Sequence, residues 1–202
     1  QLRRLAQRLR SLGYLVVETR EPGGSPISEQ IRSILLDVAN RGMERRCELL
    51  LYLASRSQHL GDIIRPAMEK GAIVLCDRFA DATLAYQGYG RQLGASVIRR
   101  FNQFAAGGVV PHLTVLLDIP VSIGLERKRR AGGLDRLDLE REMFHEAVRK
   151  GYLRIAKQEP RRIRVIDGTA PADEVTRVVS RIVDERLRGT HAYLTRVEPY
   201  AV

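Results

Sequence analysis

Asp77 and Arg78 end the apolar run Ile73-Val74-Leu75-Cys76. An acid at such a place can orient the water shell of a magnesium ion, and an arginine can clamp a phosphate. The same two residues would also serve as a plain ion pair at a strand end. Just beyond them, ATLAYQG supplies Thr83, Tyr86 and Gln87. Thr83 and Gln87 offer hydrogen bonds, and Tyr86 a ring and a hydroxyl, which are groups that read a nucleoside. The alternative is a polar helix start with a core tyrosine. In LLLYLASRSQ, Tyr52 and Arg56 stand four residues apart, on one face of a helix. The ring can stack on a base while the arginine bonds its carbonyl edge; a core Tyr beside a surface Arg is the bland alternative.

Two glycine-bearing stretches complete the set. TREPGGSP joins a strand to a helix, and its glycines permit tight backbone near a ligand or an ordinary turn. ERKRRAGGLDR, Glu126 to Arg136, is a basic segment broken by Gly132-Gly133. Arginines beside flexible glycines suit a lid that carries positive charge to a transferring phosphoryl group, or a solvated loop.

These residues need a frame that gathers them. Leu2, Leu5, Leu9 and Leu12 recur at helical spacing up to Gly13. Strands are expected at Tyr14–Arg20, in GAIVLCD, in PHLTVLLDIP and in RIRVIDGT. Helices are expected from Ser25-Pro26 to about Val38, from Glu44 to Lys70 with a bend before Pro66, and over 95–106. Further helices are expected over 121–130, 139–158 and 172–188. The residues after Arg78 read as a polar loop, and those from Gly189 as an irregular tail. Strands alternating with helices imply a parallel, doubly wound sheet with helices on both faces. Ligands of such sheets lie at the carboxyl ends of the strands. That rule gathers Arg20, Glu21, Asp77, Arg78, Asp118 and Asp167 on one rim.

Composition narrows the class. The 202 residues are 44% hydrophobic, enough for a packed core and against disorder. The net charge of +10 suits an anionic partner, and the basic residues are mainly arginine, which favours forked phosphate contacts. A nucleic-acid module would interleave basic and aromatic residues on one face; aromatics are 5% and scattered, which argues against it. No apolar run approaches the ~18 residues of a membrane span, and no signal peptide is visible. Cys47 and Cys76 have no zinc-like spacing and read as two buried free thiols in a reducing compartment, so a cytoplasmic location is expected.

In order, TREPGG, ELLLYLASRSQH, DRF followed by ATLAYQG, PHLTVLLDIP, GLERKRRAGGLDR and VIDGT resemble the bacterial thymidylate kinase family, over residues 1 to about 188. The resemblance implies a P-loop nucleoside monophosphate kinase fold, usually a homodimer, with the lid near 126–138. The implied reaction moves the γ-phosphoryl of ATP to dTMP with Mg2+, and no nucleic acid or membrane is involved. It implies that Tyr52 stacks on thymine and Arg56 bonds the base edge. Thr83 and Gln87 would also meet the base, with Tyr86 by the sugar. Arg78 and Arg32 would hold the dTMP phosphate. Glu21 would lie near the acceptor and metal, and Asp77 would order the magnesium shell. Arg127, Arg129 or Arg130 would carry lid charge to the reacting phosphate, and the resemblance does not choose among the three. Arg136 and Asp167-Gly168-Thr169 would belong to the donor nucleotide.

This sequence departs from the family pattern. Tyr52 stands where Phe is common, Ala82 where Ser is common, and Ala131 where the lid often has Arg. No Gly-x-x-x-x-Gly-Lys-Ser/Thr occurs, the motif whose backbone N–H groups and lysine cradle donor phosphates. Leu2–Leu12 resembles the helix such a loop would cap, so a first strand and P-loop are expected upstream of Gln1. Two readings compete: a dTMP kinase whose first segment lies outside this sequence, and a non-catalytic dTMP-binding remnant. A kinase for another monophosphate is a third.

Overall fold

The computed structural model describes residues 1–194, without the side chains of 189–194. Helix α1 (Leu2–Ser11) buries Leu5, Ala6 and Leu9, and leads into strand β1 (Val16–Arg20) through Gly13 at φ +87°. Helix α2 (Pro26–Leu36) starts with proline in its first turn, where the missing N–H has no intrahelical partner to lose. Helix α3 (Arg45–His59) is capped by the Glu44 carboxylate, which accepts from the N–H groups of Arg46 and Cys47. The long helix expected to Lys70 is broken by a π-helical turn at Leu60–Ile64 before α4 (Arg65–Glu69). Strand β2 (Ile73–Asp77) follows.

The expected polar loop after Arg78 is helical instead. Helix α5 (Ala80–Thr83) continues into a π-helical stretch, Leu84–Gly90, that buries Leu84, Ala85, Gln87 and Gly88. Polarity suggested a loop, yet Thr83, Leu84, Ala85, Gln87 and Gly88 are all buried where the stretch packs on α8 and α3. The remaining elements are α6 (Ala95–Ala105), β3 (Thr114–Asp118), α7 (Val121–Ala131), α8 (Glu142–Gln158), β4 (Ile163–Asp167) and α9 (Ala172–Leu194). The first six residues of the expected irregular tail, 189–194, therefore extend a helix, and 195–202 lie outside the described residues.

All four strands are parallel partners, in two separate pairs. β1 runs beside β2 with Arg20 opposite Asp77, and β3 beside β4 with Asp118 opposite Asp167. Helices cover both faces. Leu5 and Leu9 of α1 and Val175, Val179 and Val183 of α9 pack with Val16, Ile73, Val115 and Ile166. On the other face, Leu49 and Leu53 of α3, Ile98 of α6 and Phe144, Val148 and Ile155 of α8 pack with Leu116 and Ile163. An apolar run such as Ile73–Cys76 predicts full burial, but those four residues are only half-buried, and Leu117 of β3 is 38% exposed. The two pairs share helices without a hydrogen-bonded ladder between β2 and β3, which accounts for the incomplete cover.

Candidate active site

The carboxyl ends of the strands form the rim. Helix α8 reaches across it: Arg149 binds the Asp118 carboxylate at 2.7 and 2.9 Å, holding that carboxyl below its usual value. One turn further on, Tyr152 packs edge-on to Tyr86, their ring centres 6.2 Å apart. Phe144 sits edge-on to the same Tyr86 at 6.0 Å. Tyr86 is thus fixed from two sides, with the Arg78 guanidinium carbon 4.9 Å from its ring centre. Burial pushes the Tyr152 hydroxyl well above its ordinary pKa.

Arg78 itself has φ +69°, a left-handed backbone that costs a non-glycine residue about 1–2 kcal/mol. Neighbouring Asp77 is exposed, and its carboxylate makes no hydrogen bond or ion pair among the described residues. A strained arginine and a free acid at one strand end fit a binding rim better than a structural ion pair.

Below the rim, two helical stripes face each other. Glu48, Tyr52 and Arg56 line one face of α3; Thr83 and Gln87 line the facing turn of α5 and its π-helical continuation. Two polar rungs join the stripes. Arg56 Nη2 donates to Thr83 Oγ1 at 2.8 Å, and Gln87 Nε2 donates to Glu48 Oε1 at 2.8 Å. Tyr52 lies between the rungs in sequence, and burial followed by the Glu48 charge raises its hydroxyl pKa.

Each rung is anchored behind. Arg56, 1% exposed, also donates Nε to Glu21 Oε2 at 2.8 Å and Nη1 to Asn102 Oδ1 at 2.6 Å. The second Glu21 oxygen lies 3.1 Å from His59 Nδ1, and His59 Nε2 lies 2.6 Å from Thr19 Oγ1. Gly24 makes room for this chain: a Cβ there would sit 2.6 Å from Thr19 Oγ1 and 2.7 Å from His59 Nε2. Glu48 is gripped by Arg91 through two 3.0 Å bonds. Arg136 Nη2 lies 2.7 Å from Glu48 Oε2 as an ion pair whose N–H is not aligned on the oxygen. Burial pushes the Glu48 carboxyl up, but Arg91, Gln87 and Arg136 outweigh it and hold the group below its ordinary range.

The structure thus brings Tyr52, Arg56, Thr83, Tyr86, Gln87, Asp77 and Arg78 to one place. Arg32 reaches the same rim, with Nη1 donating to Pro22 O at 2.7 Å. Glu21, expected near the acceptor and metal, is 4% exposed and committed to Arg56 and His59. Arg136, expected with the donor, is instead buried on this side, where Nε donates to Leu35 O at 2.9 Å. Its two neighbours in the fold, α2 and α3, are distant in sequence, so the lid motif alone did not show this.

At the other end of the rim, Asp167 accepts from Thr169 N and Oγ1 at 2.8 and 2.6 Å, and these bonds lower its carboxyl pKa. Gly168 N donates to Asp118 O at 2.8 Å, and a Cβ on Gly168 would meet Ile119 at 2.7 Å. Arg127 Nη1 donates to Gly168 O at 2.9 Å, tying α7 to this turn. Arg130 pairs with Glu126 one helical turn away, and Arg129 is exposed without a side-chain partner among the described residues. Gly132 and Gly133, at φ +74° and +66°, end α7.

Sequence reasoning missed His59, Glu48, Asn102, Arg91, Arg149 and Tyr152. Glu48 alone left a signal, since it precedes Tyr52 and Arg56 at the same four-residue step. Cys47 is exposed rather than buried; Cys76 is half-buried, and burial raises its thiol pKa. Among the described residues, no helix is long and apolar enough to cross a membrane, and no group of three or more His, Cys, Asp or Glu could hold a metal.

Known proteins share this sequence closely. The family model for thymidylate kinase matches residues 1–179. A thymidylate kinase of Syntrophotalea carbinolica is 51% identical over 181 residues, 87% of this chain and 84% of the relative. Those of Geobacter sulfurreducens and Pseudomonas putida are each 47% identical, covering 93% and 92% of this chain and 91% of each relative. A match over most of the chain, together with a parallel α/β frame and paired rungs beneath an arginine rim, places this chain in the thymidylate kinase family.

Proposed function

We propose that this chain phosphorylates dTMP to dTDP with ATP as donor, and that the two-runged pocket is its acceptor site. The observation that carries the reading is the Arg56–Thr83 and Glu48–Gln87 pair of rungs around Tyr52, roofed by Tyr86 and Arg78. Tyr52 offers a stacking surface, Arg56 a donor to a base carbonyl, and Thr83 and Gln87 further polar contacts. Tyr86, packed by Phe144 and Tyr152, would stand against the sugar. Arg78 and Arg32 would hold the acceptor phosphate, and their charge would offset the build-up on attack. Phosphoryl transfer needs positioning and charge neutralisation more than a covalent partner.

A magnesium ion held chiefly by phosphates and water needs only one or two protein carboxylates, and exposed, unpaired Asp77 fits that requirement. When bound, the ion supplies charge neutralisation at the transferring phosphoryl group. Glu21 acts one step back, as the counterion that fixes Arg56. On the donor side, Asp167, Gly168 and Thr169 form a close turn suited to a base, and Arg127 links that turn to the lid. Arg129 and Arg130 are the lid charges free of any buried commitment. No Gly-x-x-x-x-Gly-Lys-Ser/Thr cradle occurs among the 202 residues, so acceptor binding is the sharper test than turnover.

Calorimetric titration of the chain with dTMP, UMP and dGMP supplies that test. Preference for dTMP is expected, and preference for either rival would overturn the base assignment. A homodimer is part of the same proposal. Val97, Phe101 and Phe104 line one face of α6 and are 37%, 44% and 88% exposed. A second copy of this chain is the occupant we infer for that face. Phe104→Asp is expected to shift sedimentation to a monomer; an unchanged sedimentation coefficient would remove the inference.

A further inference from the structure

We propose that Glu48 sets base specificity by fixing which end of the Gln87 amide faces the base. The proposal rests on reading this pocket as the dTMP acceptor site, and it assigns Glu48 as a positioning residue that acts through Gln87. A side-chain amide has a donor end and an acceptor end, and unaided it can present either. Glu48 removes that choice. It is fully buried, and an ionised carboxylate only accepts. Its Oε1, 2.8 Å from Gln87 Nε2, therefore commits the NH2 end of the amide. The carbonyl Oε1 is left over: no described residue donates to it, and it is not among the fully enclosed unpaired atoms. Arg91, which donates to both carboxylate oxygens, and Arg136, paired with Oε2, keep the carboxylate charged and in place.

The other rung has the opposite polarity. Arg56 is a donor only, steered by Glu21, Asn102 and Thr83. From one rung to the other the order is thus an acceptor at Gln87, opposite Glu48, then the Tyr52 ring, then a donor at Arg56. A base edge that complements this order has a ring N–H next to a carbonyl, as in the 3-NH, 4-keto edge of thymine or uracil. Cytosine presents the reverse, a bare ring nitrogen next to an amine. Both contacts would then face like against like. Sites built to hydrogen-bond one group reject the analogue lacking it by large factors.

The test compares dTMP with 5-methyl-dCMP, which share methyl, sugar and phosphate and differ only on that edge. Calorimetric titration of the wild-type chain is expected to favour dTMP by about 100-fold or more. Glu48→Gln keeps the shape but no longer compels one amide orientation, and it is expected to lower that ratio at least about tenfold. Adding Gln87→Glu to it makes residue 87 an acceptor only, and the preference is expected to return. A folded Glu48→Gln chain whose ratio stays within about twofold of wild type overturns the proposal, because a purely structural role would weaken both ligands alike. Should that variant not fold, the wild type decides. NMR exchange of the Gln87 side-chain NH2 protons is expected to be at least about tenfold slower than for exposed Gln103, and equal rates overturn the proposal. A wild-type chain that binds neither nucleotide, or both equally, overturns the dTMP reading of the pocket and the Glu48 role with it.

Discussion

Glu21→Gln is expected to destabilise the fold by about 3 kcal/mol, at the lower end of the ~3–5 kcal/mol for removing one partner of a buried ion pair. Arg56 and Glu21 are 1% and 4% exposed, so the arginine cannot turn to water when its counterion goes. The amide is the same size and its carbonyl can still accept from Arg56 Nε. Asn102 and Thr83 keep their bonds, which places the loss at the low end rather than the high end. Against a total stability of about 5–15 kcal/mol, the loss is large. It corresponds to a fall in Tm of roughly 6–12 °C for a chain of this size. Urea unfolding at neutral pH measures it directly, and a dTMP titration on the same sample is expected to show weakened binding, since Arg56 loses its orientation. A Glu21 that instead served the acceptor phosphate and metal would leave stability nearly intact and change only the Mg2+ dependence of function. A loss below about 1 kcal/mol in urea would refute the argument that Glu21 is the buried counterion of Arg56.

Other perturbations probe the same frame. Gly24→Ala combines a left-handed backbone at φ +91° with a Cβ driven into Thr19 and His59, and is expected to destabilise by about 2–5 kcal/mol in thermal or urea unfolding; a neutral result would mean the Thr19–His59–Glu21 chain is not tightly packed. Arg78→Gly relieves the φ +69° backbone, so stability is expected to hold or rise by about 1 kcal/mol while dTMP affinity falls at least about tenfold. If both drop together, Arg78 is structural. Glu48 titrates lower in the fold than in the unfolded chain. Its contribution is therefore complete above the ordinary carboxylate value, about 4.3, and is lost as pH falls through the lower folded value. Stability from urea unfolding should be level from about pH 7 to 5 and then decline, less steeply in Glu48→Gln; an identical acid slope in both proteins would contradict this.

The one-dimensional pattern determined the four described strands, most of the helices and their order, but not the helical stretch after Arg78. Leucines at helical spacing in α1 and short apolar runs ending in Arg20, Asp77, Asp118 and Asp167 are local signals, because burial periodicity is set by each element's own geometry. The rim was legible for the same reason: parallel strands end on one side, whatever their neighbours. Tyr52 with Arg56 was legible as a four-residue step on one helix, and Thr83 and Gln87 by residue type alone, because the stretch that aligns them read as a loop. The partners of those residues were not. Glu48 meets Gln87 across 39 residues and Arg136 meets Leu35 across 101, so each pairing depends on how helices dock rather than on spacing. The burial of Glu21 shows the limit most plainly. Its place in TREPGG is the same whether it faces solvent and a metal or turns inward to Arg56 and His59. Only the packing of α3 against the end of β1 decides which, because a carboxylate is tolerated inside only where other chain segments bring it a cation.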